Sequence, residues 1–166
     1  MIRAATPADV SEIVAMVHEL AEYEREPTAC RLTRGQLSAA LFGNAPALFC
    51  HVAEVDGALA GCALWFLNFS TWEGVHGIYL EDLFVRPADR GQGIGRALLA
   101  ALAGVCVQRG YGRLEWSVLD WNAPSIAFYR ALGAVAMDEW TTYRLGGPAL
   151  TALGSTAPSP TSGTAR

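Results

Sequence analysis

The chain has 166 residues, of which 52% are hydrophobic and 17% charged, a size and balance that suit one globular domain with a substantial core. Its formal net charge of -4 leaves no excess of Lys and Arg for a nucleic-acid-binding patch, so neither DNA nor RNA is an expected partner. There is no uninterrupted apolar stretch of about 18 residues and no basic segment leading into an apolar run, so neither a membrane span nor a secretory leader is expected; four scattered cysteines without a CxxC pair read as reduced thiols of a cytoplasmic protein.

Near the N-terminus, Thr6, Pro7 and Asp9 offer an N-cap, a favourable first helical position and an acidic first turn. Val10, Ile13, Val14, Val17, Leu20 and Ala21 then recur at the spacing of one buried helix face, and the helix is expected to end between Tyr23 and Glu26, ahead of Pro27. Residues 33–42 carry a weaker helical pattern. Residues 48–55 and 59–69 read as antiparallel strands around Asp56-Gly57, a favoured hairpin turn. A third strand over about residues 77–85 closes at Pro87, and a glycine-rich segment then feeds a helix whose inner face is Ile94, Leu98, Ala101, Leu102 and Val105, ended by Gly110. A strand near residues 114–118, a short helix begun by Asn122 and Pro124 and stopped at Gly133, and a last strand near residues 140–145 complete the domain. The order is mixed α/β, with hairpins and one crossover. Residues 1–150 make the domain; 151–166, rich in Ser, Thr, Pro and Gly, read as a disordered tail.

The chemistry concentrates in Tyr79-Leu80-Glu81-Asp82-Leu83-Phe84-Val85 and in Arg90-Gly91-Gln92-Gly93-Ile94-Gly95-Arg96, which opens the long helix. The first turn of a helix presents unpaired N–H groups and the positive end of its dipole, and glycines let a pyrophosphate approach that backbone. A P-loop would need a Gly-Lys-Ser/Thr ending, and a dinucleotide fingerprint would need glycine where Arg96 stands. Both motifs fail. Glu81 and Asp82 carry independent information: neighbours on a regular strand point to opposite faces, so one carboxylate would turn toward the core unless a bulge re-aims it.

Arg90-Gly91-Gln92-Gly93-Ile94-Gly95 resembles the acetyl-CoA motif of the GNAT acetyltransferase superfamily, Gln/Arg-x-x-Gly-x-Gly/Ala. Tyr79-Leu80-Glu81-Asp82 and Trp121-Asn122-x-Pro124-Ser125-x-x-Phe128-Tyr129 resemble its diamine (spermidine/spermine) acetyltransferase branch. The resemblance implies a central, mostly antiparallel twisted sheet flanked by helices and splayed at the acetyl-CoA site. It implies that Leu83, Phe84 and Val85 offer backbone groups to the pantetheine arm, that Arg90 through Arg96 surround the pyrophosphate, and that Asn122 and Ser125 hold the cofactor near its thioester. A backbone N–H at Leu83 would serve as the oxyanion donor.

Acetyl transfer needs a neutral amine, yet an alkylammonium has a pKa of about 10, so a carboxylate or a water relay must take its proton. Glu81 is assigned that role. The departing thiolate has a pKa of about 8.5, within reach of a tyrosine hydroxyl near 10, and Tyr129 holds the family position for this acid. By spacing alone, Tyr129 is also an ordinary inward-facing aromatic of a short helix. On the amine side, Tyr23, Glu24, Glu81 and Asp82 form a wall that attracts a cation, with the glutamates of residues 19–26 equally readable as a solvated helix end. Trp72 offers a cation its aromatic face, or serves as a hairpin cap or dimer contact. Met137-Asp138-Glu139-Trp140 departs from the acidic pair before Gly-Trp in the polyamine enzymes, so the substrate-end contact is shifted or absent and spermidine itself is the less expected of the diamine, polyamine and basic amino-acid substrates. His18, His51 and His76 lack metal-ligand spacing, so no metal is expected. The reading is an acetyl-CoA-dependent N-acetyltransferase for a small primary amine, expected as a homodimer by resemblance, with acetylation of a protein amine and acetyl-CoA sensing as the alternatives.

Overall fold

The computed structural model describes residues 1–158. In chain order it contains β1 (Ile2–Ala4), α1 (Val10–Tyr23), α2 (Arg34–Phe42), β2 (Phe49–Val55), β3 (Ala58–Ser70), β4 (Val75–Val85), α3 (Ile94–Arg109), β5 (Leu114–Trp116), α4 (Ala123–Ala131) and α5 (Gly147–Gly154). The chain divides after Leu119 into two compact units, the first holding the sheet and the second α4 and α5.

Local chemistry sets most of the boundaries. Thr33 caps α2 by accepting the Gln36 N–H at 3.3 Å, while Gln36 Oε1 accepts the Thr33 N–H at 2.9 Å, a reciprocal box that satisfies two donors. Asp56 and Gly57 both sit at positive φ, 50° and 80°, the pairing a twisted two-residue hairpin demands between β2 and β3. Gly110 ends α3 in the left-handed conformation. Asp9 accepts two hydrogen bonds from the Arg3 guanidinium, at 2.7 and 2.9 Å, and one from the Thr6 N–H, tying β1 to the start of α1. The guanidinium holds that carboxyl well below the usual carboxylate range.

The strands lie in the order β1-β2-β3-β4-β5, antiparallel except for the β4–β5 pair, which is parallel. On one face α1 and α2 bury Val10, Ile13, Met16 and Leu37 against Cys50, Val52, Cys62, Leu64 and Phe84. Helix α3 packs on β2, β3 and β4 and buries Leu98, Leu99, Leu102 and Cys106. Each such large aliphatic side chain removed from water contributes about 1.5–3 kcal/mol.

Two features of β4 position the site. Leu64 pairs with Asp82 but Trp65 pairs with Leu80, so Glu81 is an extra residue in a β-bulge. Beyond Leu80, which pairs with Trp116, β4 has a ladder partner on the β3 side alone, and its other edge is open over Glu81–Val85. Among the described residues no strand pairs with that edge, as the family resemblance implies for a splayed sheet.

Three expectations are corrected. No strand forms over residues 140–145: among the described residues none pairs with them, and Trp140 and Tyr143 are largely exposed. Alternation alone does not make a strand without a ladder partner. Of the tail expected from residue 151, residues 151–154 are helical, as the end of α5 with Pro148 in its first turn; residues 159–166 lie outside the described residues. A three-residue strand at Ile2–Ala4, too short for its periodicity to register, pairs with β2.

Candidate active site

The bulge decides where the carboxylates go. Asp82, opposite Leu64, is partly buried on the α1/α2 face, and Glu81 is left exposed. Burial, with the neighbouring charges of Glu81 and Glu24, pushes the Asp82 carboxyl up to about 6. Burial also raises Glu24, which follows directly on the last residue of α1. The structure therefore brings together three of the sequence-assigned groups, Glu24, Glu81 and Asp82, as a coupled acidic cluster beside the open edge of β4.

Tyr23, the residue before Glu24, lies beside Arg90. The guanidinium carbon lies 5.1 Å from the centre of the Tyr23 ring and 5.6 Å from that of Phe84, and Nε donates to the Val85 carbonyl at 2.8 Å. The motif arginine thus spans the end of α1 and the end of β4.

Between Arg90 and α3 the chain turns on Gly91 and Gly93, at φ of 78° and 80°, with nothing within 4 Å of where a Cβ would stand. Gly93 caps α3 without a side-chain hydrogen bond, so the first-turn N–H groups of a 16-residue helix have no side-chain acceptor at the cap. An unobstructed glycine cradle against bare helix amides fits a pyrophosphate, with Gln92, Ile94, Gly95 and Arg96 completing the turn.

Trp72 is placed elsewhere. It is 90% exposed in the β3–β4 turn, and the six strand steps from Val75 to Glu81 put it about 20 Å from the carboxylates. In the second unit, Asn122 is buried and its Oδ1 accepts the Ser125 N–H at 3.3 Å as the N-cap of α4. Tyr129 stands on the same helix, partly buried, its ring 5.3 Å from that of Phe128.

Sequence reasoning assigned proton removal to Glu81 and left Asp82 as wall. The signal that distinguishes them is the position of the extra residue, which depends on pairing with β3 and is invisible in β4 alone.

A splayed β4, a glycine cradle before a long helix and an acidic cluster beside them define an acyl-CoA-binding transferase fold. Residues 14–134 match the acetyltransferase (GNAT) family. The chain is 37% identical to thialysine N-epsilon-acetyltransferase of Bos taurus, covering 92% of this chain and 96% of that protein. It is 31% identical to the L-ornithine N5-acetyltransferase NATA1 of Arabidopsis thaliana, over 92% and 86% of the two chains. Among solved structures, an integron cassette protein from the mobile metagenome of V. cholerae superposes with a TM-score of 0.80 at 25% identity, covering 94% of this chain and 98% of that one. The chain belongs to the GNAT acetyltransferase family and is an N-acetyltransferase.

Proposed function

We propose that this enzyme transfers an acetyl group from acetyl-CoA to a primary amine of a small cationic substrate: a diamine, a polyamine or a basic amino-acid analogue such as thialysine or ornithine. The observation that carries the reading is the coupled carboxylate cluster of Glu24, Glu81 and Asp82 beside the glycine cradle. Acetyl-CoA supplies an activated thioester. Gly91 to Arg96 would hold its pyrophosphate with backbone N–H groups, and Leu83, Phe84 and Val85 would offer backbone groups to its arm.

Asp82 takes the proton from the ammonium: with a pKa of about 6 it is mostly ionised at neutral pH, yet basic enough to accept a proton. Glu81 and Glu24 supply negative potential that concentrates the cation, and Tyr23 offers it an aromatic face. By the resemblance of their motif, Tyr129 would serve as the acid for the leaving thiolate, and Asn122 and Ser125 as contacts for the thioester end.

In this reading residues 1–150 act as one catalytic domain in a cytoplasmic homodimer. Val135, Met137, Trp140 and Tyr143 leave apolar surface exposed, which supports the dimer; no described helix is long and apolar enough to cross a membrane. The reading is tested by thiol release from acetyl-CoA across thialysine, ornithine, diamines, spermidine and short peptides, with calorimetry of acetyl-CoA binding. Thiol release with the small amines is expected; cofactor binding without turnover would replace the reading by a sensor, and turnover of peptides alone by a protein acetyltransferase.

A further inference from the structure

A cavity of about 300 Å³ lies at the far end of α3 from the glycine cradle. Arg109, the last residue of α3, borders it, and the helix rises about 1.5 Å per residue, so this end stands about 22 Å from the cradle. The volume is that of a small-ligand pocket, and most of its lining is apolar, with no Asp or Glu.

Two polar side chains break that lining. Trp65 Nε1 donates to His51 Nδ1 at 3.1 Å, so Nδ1 is an acceptor; burial lowers the pKa of His51 and favours the neutral ring, which puts its one proton on Nε2. Among the described residues nothing accepts that Nε2–H. Arg109 forms no ion pair with a described carboxylate, and its side-chain hydrogen bond is a long one, 3.4 Å to the Tyr111 hydroxyl. Beside these donors stand the stacked rings of Phe49 and Trp65, centroids 4.6 Å apart.

We infer that this cavity is a binding site for a compact carboxylate with an apolar or aromatic body, its anion held by Arg109 and the His51 Nε2–H and its body seated on the Phe49–Trp65 stack. A guanidinium without an ion-pair partner among the described residues, an imidazole N–H and a low-polarity wall select an anion with an apolar remainder over a free phosphate or an amine. The site is separate from the acetyl-transfer machinery and does not rest on the proposed amine.

The test is calorimetry of the full-length protein with benzoate, hexanoate and benzyl alcohol, together with nitrogen NMR of the His51 ring. Benzoate should bind at one site and shift the Nε2 resonance, with benzyl alcohol weaker by roughly tenfold or more. Arg109→Gln, a change at an exposed helix end, should weaken benzoate by roughly tenfold to a hundredfold while leaving acetyl transfer unchanged. Equal binding of benzyl alcohol and benzoate, unchanged benzoate binding in R109Q, or binding of neither carboxylate would overturn the inference.

Discussion

At the scale of single residues, the assignment that matters most is which of two adjacent carboxylates takes the proton. Asp82→Asn should lower kcat by roughly 10²–10⁴-fold and abolish the limb of the pH–rate profile that rises through about 6, while acetyl-CoA still binds. Glu81→Gln should act chiefly on the KM of the amine. If E81Q loses the limb and D82N keeps it, the roles are reversed. Linkage adds an independent check on the same residue. The folded pKa is raised above the usual 3.8, so the folded state holds the Asp82 proton more tightly; the resulting stability is present at low pH and is lost as pH rises from about 4 through about 6. D82N should remove that loss and be more stable than the parent at pH 8, by up to about 3 kcal/mol in chemical denaturation. Tyr129→Phe should slow turnover by roughly 10²–10⁴-fold with acetyl-CoA affinity retained; a near-normal rate would remove Tyr129 from the mechanism.

At the scale of elements, the legible parts were those written locally. The Asp56-Gly57 hairpin, the glycine stop at Gly110 and the glycine turn before α3 each follow from a few adjacent residues whose conformational needs are specific. What stayed hidden depends on partners distant in the chain. The location of the bulge is set by β3 against β4, and residues 140–145 alternate like a strand but find no ladder partner among the described residues. Trp72 resembled a cation platform until the length of β4 separated it from the carboxylates. A test at this scale is Gly93→Ala. The added methyl meets open space, so its effect is backbone strain at a φ of 80°, costing about 1–2 kcal/mol in thermal denaturation and weakening acetyl-CoA by distorting the cradle. A melting temperature equal to the parent's would show that the turn does not need glycine there.

For the molecule as a whole, the two faces of the sheet are sealed differently from the catalytic edge. Cys50, Cys62 and Cys106 are buried in those faces, and burial pushes the Cys50 thiol up to about 12 and raises the other two. Cys30 is the partly exposed one. A chromogenic disulfide reagent at pH 8 should titrate one thiol quickly in the native protein and all four only after denaturation. Fast reaction of two or more would mean that the sheet opens on the timescale of the assay.

The extra residue in β4 also divides the strand into two reading frames. Ile78 and Leu80 pair with odd-numbered residues of β3, Asp82 and Phe84 with even-numbered ones, so four even positions in one strand serve opposite faces. Removing the Glu81 side chain leaves both frames intact, and E81A should stay within about 0.5–1 kcal/mol of the parent. Removing the whole residue abolishes the bulge instead: Leu80 and Asp82 become neighbours opposite Trp65 and Leu64, and Asp82, Leu83 and Phe84 keep their partners and their faces. The strand therefore tolerates loss of this one residue where loss of Leu83 would turn either Asp82 or Phe84 to the other face, and a chain lacking Glu81 should still fold but lose the local bend of β4 beside the carboxylates.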